Sequence, residues 1–174
     1  MEEIIKTESL TKIYNPLSSN KKVAVDEITL SIKEGEFISI MGKSGSGKTT
    51  LLNVLSTIDD LTKGKLFIYG KNIFEMSEYD KAVFRRKYIG FIFQNYNLLD
   101  TLTVKENIVL PLRLSKVTVD QNEFERIVKE LEIEEELNKY PFECSGGQLQ
   151  RVAVARTLIM NPKIIFADEP TGNL

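Results

Sequence analysis

The sequence predicts an α/β fold, with a mostly parallel core sheet and helices packed against it. Three observations predict it. Strand-like and helix-like stretches alternate along the 174 residues, the pattern of an α/β domain. Two short runs, 88–93 and 163–167, are almost wholly apolar, as are strands buried on both faces of a parallel sheet. Between an apolar run at 36–41 and a helix-like run at 50–55 lies a glycine-rich loop that reads G-x-x-x-x-G-K-T.

In chain order, residues 4–14 and 23–32 read as strands with partial alternation, separated by the turn residues of 15–20. Lys33-Glu34-Gly35 is a second turn, leading into a strand at 36–41. A helix is expected from Lys48 to about Thr57, then a polar connection over 59–65 and a short strand at 66–69 stopped by Gly70. Ser77 caps a helix to about Lys87, with Glu78 and Asp80 where negative charge suits the helix dipole. The strand at 88–93 ends at Gln94.

Thr103 caps a helix beginning at Val104, Glu106 completes a capping box, and Pro111 is expected to kink or end the helix. Asp120 opens another helix, whose Phe124, Ile127, Val128 and Leu131 share one apolar face. The acidic residues that follow, Glu132, Glu134, Glu135 and Glu136, read as a solvated surface. Ser145-Gly146-Gly147-Gln148 opens a helix to about Met160, Asn161-Pro162 stops it, and the strand at 163–167 follows.

Composition narrows the function. The chain is 42% hydrophobic and 28% charged, which at this length supports one domain with a substantial core. A net charge of −2 supplies no basic field for nucleic acid. There is no histidine, so His-based general bases, Ser-His and Cys-His nucleophile pairs and most zinc sites are excluded. The single cysteine, Cys144, excludes an internal disulfide and fits a reducing compartment. The acidic N-terminus lacks an apolar signal core. No apolar run approaches the roughly 18 residues of a membrane span, so the chain is expected to be soluble and to reach a membrane only through a partner.

The glycine loop carries the first chemistry. Gly42, Lys43, Ser44, Gly45, Ser46, Gly47, Lys48 and Thr49 allow a tight backbone turn whose N–H groups converge on one anion. The following helix N-terminus, through Thr50, adds unpaired N–H groups and its positive dipole end. Lys48 reaches the β- and γ-phosphates of a nucleotide, and the Thr49 hydroxyl is a ligand for Mg²⁺. The alternative, a glycine-rich surface turn, does not require these flanks.

A second constellation ends the last strand. Asp168 and Glu169 follow the apolar run at 164–167, and ligands of such sheets sit at the carboxyl ends of strands. Adjacent residues point to opposite sides, so the two carboxylates can take different tasks. Asp168 would hold the Mg²⁺ shell and Glu169 would polarise a water for attack on the γ-phosphate.

Cys144-Ser145-Gly146-Gly147-Gln148-Leu149-Gln150-Arg151 resembles the signature of the ATP-binding-cassette (ABC) family, usually L-S-G-G-Q, placed here as there between the phosphate loop and the acidic strand. The resemblance implies a phosphate-loop NTPase of the ABC ATPase type. It has a mostly parallel core sheet, an N-terminal antiparallel β subdomain and a helical subdomain inserted at about 95–160, all in one domain over residues 1–174. It also implies that Ser145, Gly146, Gly147 and Gln148 contact the γ-phosphate of ATP held by a second copy, in a head-to-tail homodimer. Tyr14 resembles the aromatic that stacks on adenine. Gln94 resembles the glutamine that touches Mg²⁺ and the attacking water. Asp168 and Glu169 match the Mg²⁺ aspartate and the catalytic glutamate, with Lys48 beside them in catalysis. ATP and Mg²⁺ are thus the implied cofactors.

The segments at 93–108 and 167–174 look like those of the subfamily serving lipoprotein release, macrolide efflux and antimicrobial-peptide resistance. The residues at 100–105 and 140–143 lean toward the peptide-resistance branch of low-GC Gram-positive bacteria. The implied partner is an integral membrane permease, with no nucleic acid, and the implied location is the cytoplasmic face of the cell membrane.

Two features depart from the family pattern. Cys144 and Leu149 stand where leucine and a polar residue are usual. The family continues past Leu174 with an aspartate, a central strand and a switch histidine, so the resemblance implies a C-terminally incomplete cassette, with a gap beside the strand at 36–41. Weak nucleotide binding and poor hydrolysis are then expected of this chain. Two alternatives remain: a catalytically silent nucleotide-binding fragment, and a soluble ABC ATPase without a transport role.

Overall fold

The computed structural model describes residues 2–170. The segment 171–174, quoted above for the resemblance, lies outside the described residues. The chain divides into two compact units, Met1–Val83 and Phe84–Leu174. Among the described residues no helix is long and apolar enough to cross a membrane.

The first unit is built on β1 (Glu3–Tyr14), the longest strand. One edge of β1 pairs antiparallel with β4 (Lys63–Ile68), and β4 turns through Tyr69-Gly70 into the two-residue β5 (Lys71–Asn72). The other edge is shared by β2 (Lys22–Ile28), beside Leu10–Tyr14, and β3 (Ser31–Lys33), beside Glu3–Lys6. The run at 23–32 is therefore two strands, and Thr7 shows why the break is tolerated. Its buried hydroxyl donates to Ile28 O at 2.9 Å and accepts from Leu30 N at 3.0 Å. It satisfies the main-chain groups that the interrupted ladder would strand. Ile5, Leu10, Leu66 and Ile68 are buried in the sheet.

Two further expectations need correction here, and one short strand was not expected. The polar connection at 59–65 is shorter than its composition suggests, because β4 starts at Lys63 and pairs with Thr11. Gly64 permits this. It has φ +91°, and a Cβ there would lie 2.3 Å from Ser9 O, so only glycine lets the two backbones approach. The hairpin return β5 carries too little apolar sequence to be read as a strand. Most consequentially, residues 36–41 are not a strand. Phe37 is 97% exposed and Met41 87% exposed. Apolar, β-prone composition makes a strand only where a neighbour supplies hydrogen bonds, and no strand pairs with this segment among the described residues.

α1 (Lys48–Leu55) follows the glycine loop. α2 (Glu78–Tyr88) starts where Ser77 Oγ accepts from Asp80 N and leads into the second unit. There β6 (Ile89–Ile92) and β7 (Ile164–Ala167) form a parallel pair in the register Ile89↔Ile164 to Ile92↔Ala167. Three helices, α3 (Val104–Leu114), α4 (Gln121–Glu130) and α5 (Gly146–Leu158), share a core that includes Val104, Ile108, Phe124, Ile127 and Val152. The Thr103–Glu106 capping box and the Asp120 cap form as their local sequences require.

Pro111 neither ends nor breaks α3. It sits one turn from the C-terminus, where it removes a single N–H, and Ser115 N and Oγ both donate to its carbonyl to close the helix. Glu136 corrects the reading of the acidic run. Glu132, Glu134 and Glu135 are exposed, whereas Glu136 is only 5% exposed.

Candidate functional site

In the first unit the glycine loop turns tightly, Ser46 N donating to Lys43 O at 3.2 Å. Gly47 caps α1 at φ +94°, and a Cβ there would lie 2.1 Å from Ala24 O of β2. The loop therefore packs directly on β2, and glycine is required. The Lys48 ammonium folds back over the loop, donating to Gly42 O at 3.0 Å and Lys43 O at 3.1 Å. This holds a positive charge at the mouth of the N–H nest, where a phosphate oxygen would be held. Thr49 is exposed in the first turn of α1, with Thr50 beside it. A cavity of about 440 Å³ opens here, with Val23, Val25 and Leu51 on its apolar side and Ser46, Gly47 and Lys48 on its polar side. That volume lies within the range of small-ligand sites.

Tyr14 ends β1 and is half-exposed at 37%. Its hydroxyl donates to Asp59 Oδ2 at 2.9 Å. Lys12 Nζ lies 5.0 Å from the ring centroid and donates to Asp59 Oδ1 at 2.6 Å. Burial pushes the Asp59 carboxyl up, but the hydrogen bonds from Lys12 and Tyr14 and the Lys12 charge outweigh it and hold it below its ordinary value. The ring is thus fixed at its tip and on one side, which suits a stacking platform. Neither Lys12 nor Asp59 was singled out from sequence. Asp59 lies 45 residues from Tyr14, and a polar pair at that separation leaves no local signal.

In the second unit the parallel pair aligns the ends of β6 and β7, and Asp168 N donates to Ile92 O at 3.0 Å. Two residues beyond each strand's last pair stand Gln94 and Glu169, and Gln94 Nε2 donates to Glu169 Oε2 at 2.7 Å. Both side chains are exposed, while Asp168 is 8% exposed. The two carboxylates therefore occupy different environments, one buried against the strand end and one open. Glu169 takes φ +46°, a left-handed conformation that a non-glycine residue adopts at some cost.

The signature residues form the start of α5. Ser145 is the N-cap; its Oγ accepts from Gln148 N at 3.4 Å, and Gln148 Oε1 accepts from Ser145 N at 2.8 Å. Ser145 and Gly146 are exposed, so the helix N-terminus faces solvent as an anion site would.

A family model described as ABC transporter matches residues 25–172. The bacitracin export ATP-binding protein BceA of Halalkalibacterium halodurans is 51% identical over 98% of this chain and 68% of its own length. The chain belongs to the ABC transporter family.

A second ABC relative, the lipoprotein-releasing system ATP-binding protein LolD of Aquifex aeolicus, is 42% identical, covering 100% of this chain and 76% of its own. The dimeric structure of MJ0796, a bacterial ABC transporter cassette, matches with a TM-score of 0.90 at 40% identity, over 98% of this chain and 76% of that one. A dimeric post-hydrolysis state of MJ0796 bound to ADP and Pi matches with a TM-score of 0.88. The fold class read from sequence, an ABC-type phosphate-loop NTPase, is that of these cassettes. This chain spans about two thirds to three quarters of these relatives' lengths.

Proposed function

We propose that this chain is the ATP-binding and ATP-hydrolysing subunit of an ABC transporter that exports or removes a peptide, lipoprotein or antibiotic through a membrane permease. The observation that carries hydrolysis is the Gln94–Glu169 pair, a carboxamide and a carboxylate joined at the ends of parallel strands. Such a pair orients one water, Glu169 accepting its proton as it attacks the γ-phosphate.

The remaining roles follow from chemistry. The main-chain N–H groups of Gly42 to Thr50 cradle the phosphates, and Lys48 neutralises charge that develops on them. Tyr14 stacks on the adenine. Thr49, Asp168 and Gln94 offer oxygen donors of the kind Mg²⁺ selects. Among the described residues no group of three or more acidic, cysteine or histidine side chains clusters to hold a metal. A cation held by any of these residues would draw much of its shell from nucleotide oxygens, as Mg²⁺ does in such sites. When bound, Mg²⁺ would neutralise phosphate charge.

Ser145, Gly146 and Gly147 complete the site of a second copy, so ATP closes a head-to-tail homodimer. MJ0796, a dimeric cassette, and BceA, a bacitracin export protein, support the assembly and the transport class. The permease would hold the subunit at the inner face of the membrane. The domain is read as one cassette with a helical subdomain at about 95–160.

The test is a thermal melt with Mg-ATP beside a Lys48→Ala control, followed by phosphate release from wild type and Glu169→Gln. ATP is expected to raise the wild-type melting temperature and leave the control unmoved. A wild type that ATP does not stabilise would remove this reading.

A further inference from the structure

Glu136 is the buried member of an otherwise solvated acidic run, and it lies against the signature. The turn that carries it is rigidly framed. Glu136 N donates to Ile133 O at 3.3 Å and Lys139 N to Glu136 O at 2.8 Å. The next residues anchor the N-terminus of α3, Lys105 N donating to Leu137 O at 3.0 Å and Val104 N to Lys139 O at 2.8 Å. From this frame the Glu136 carboxylate accepts from Gln148 Nε2 at 2.6 Å. Its other partner is Lys139 Nζ at 3.4 Å.

A buried carboxylate is costly unless it is hydrogen-bonded. Charge-assisted hydrogen bonds are the stronger class, and this one is short. It also settles which way the Gln148 amide faces. Only its NH₂ can face a carboxylate, and only its oxygen can accept from Ser145 N. Gln148 is therefore held at both ends, by Glu136 on one side and by the Ser145 main chain at 2.8 Å on the other. The negative charge would by itself repel an anion arriving at this helix end. Lys139 and the Gln148 amide offset it.

We infer that Glu136 is a positioning residue for the signature, holding Gln148 so that Ser145 and the N–H groups of Gly146 and Gly147 are set to receive the nucleotide of a second copy. This rests on the reading that Ser145 to Gly147 contact ATP across a dimer. Gln148 then serves the nucleotide through the geometry of its own helix end.

The test uses the protein carrying Glu169→Gln, so that ATP persists. Two quantities are measured: the affinity of the single protomer for a fluorescent ATP analogue, and the ATP concentration that half-saturates self-association in sedimentation velocity. Glu136→Leu is expected to leave the first unchanged and raise the second about tenfold, the effect of losing a hydrogen bond to a charged group. Gln148→Glu, which sets two carboxylates face to face, is expected to act likewise. The double exchange of Glu136→Gln with Gln148→Glu keeps a donor facing an acceptor at both contacts, and it is expected to restore self-association to within about twofold of the parent.

A role limited to stability would make self-association follow the melting temperature, and the double exchange would not separate the two. That result overturns the inference, as does normal self-association in Glu136→Leu. Ser145→Ala distinguishes the levels. If it weakens self-association and Glu136→Leu does not, only the Glu136 inference falls. If Ser145→Ala has no effect either, the nucleotide-sandwich reading falls with it.

Discussion

Gln94 donates to Glu169 across 2.7 Å, joining side chains 75 positions apart in sequence at the ends of two parallel strands. The hydrogen bond orients the Glu169 carboxylate, which on the proposed function accepts a proton from water, and it does so without a histidine. Glu169→Gln removes the acceptor charge but keeps the shape. Phosphate release is expected to fall about 10²- to 10⁴-fold, the usual worth of a positioned base, with ATP binding retained. Gln94→Ala is expected to cost less, because it loosens the carboxylate without deleting it. Equal turnover in wild type and Glu169→Gln would assign the base elsewhere.

Lys48 and Gly47 give a paired prediction about the phosphate loop. Lys48→Ala deletes the charge at the loop mouth, while Gly47→Ala places a methyl where Ala24 O stands 2.1 Å away, at φ +94°. Both are expected to abolish stabilisation by Mg-ATP. Only Gly47→Ala is also expected to lower the melting temperature without nucleotide, because its clash lies in the protein itself. Isothermal titration beside an unliganded melt separates the two. Equal unliganded melting temperatures would show that the loop is not packed against β2.

These features differ in how far they could be read from sequence, and the difference is one of range. The caps at Thr103, Asp120 and Ser145 are settled by residues two or three positions away, so their spacing announces them. The segment 36–41 has the composition of a strand, but its conformation depends on a neighbour to pair with. Glu136 looks like its acidic neighbours until Gln148, 12 residues on, is placed beside it. The division of 23–32 turns on one hydroxyl, Thr7, about 20 residues back. Local chemistry was legible, and pairing across sequence distance was not.

Asn107 is the polar residue on which the loop before α3 depends. It is fully buried; Oδ1 accepts from Leu99 N at 2.8 Å, and Nδ2 donates to Leu99 O, Leu102 O and Thr103 O. Asn107→Leu fills the volume but strands Leu99 N and Leu102 O, whereas Leu99 O and Thr103 O keep main-chain donors in Leu102 N and Asn107 N. The expected loss is about 2–3 kcal/mol, or roughly 5–10 °C in melting temperature for a chain of this size. Urea denaturation checks it. A loss under about 0.5 kcal/mol, the level of an ordinary surface change, would show that water replaces the amide.

Asp59 ties the setting of the Tyr14 ring, proposed above to stack on adenine, to pH. Its carboxyl is held below the ordinary 3.8: burial alone would raise it, but Lys12 and Tyr14 prevail. A carboxyl depressed in the folded state contributes stability above its unfolded value and loses it as pH falls through the folded value. The stability gap between wild type and Asp59→Asn is therefore expected to be whole above about pH 5 and to close progressively as pH falls below 3.8. Asp59→Asn also loosens the Tyr14 hydroxyl and the Lys12 ammonium at once. Affinity for ATP is expected to drop several-fold while affinity for inorganic tripolyphosphate, which has no base to stack, is unchanged. Equal losses for both ligands would place the Asp59 effect on the phosphate loop and take Tyr14 out of nucleotide recognition.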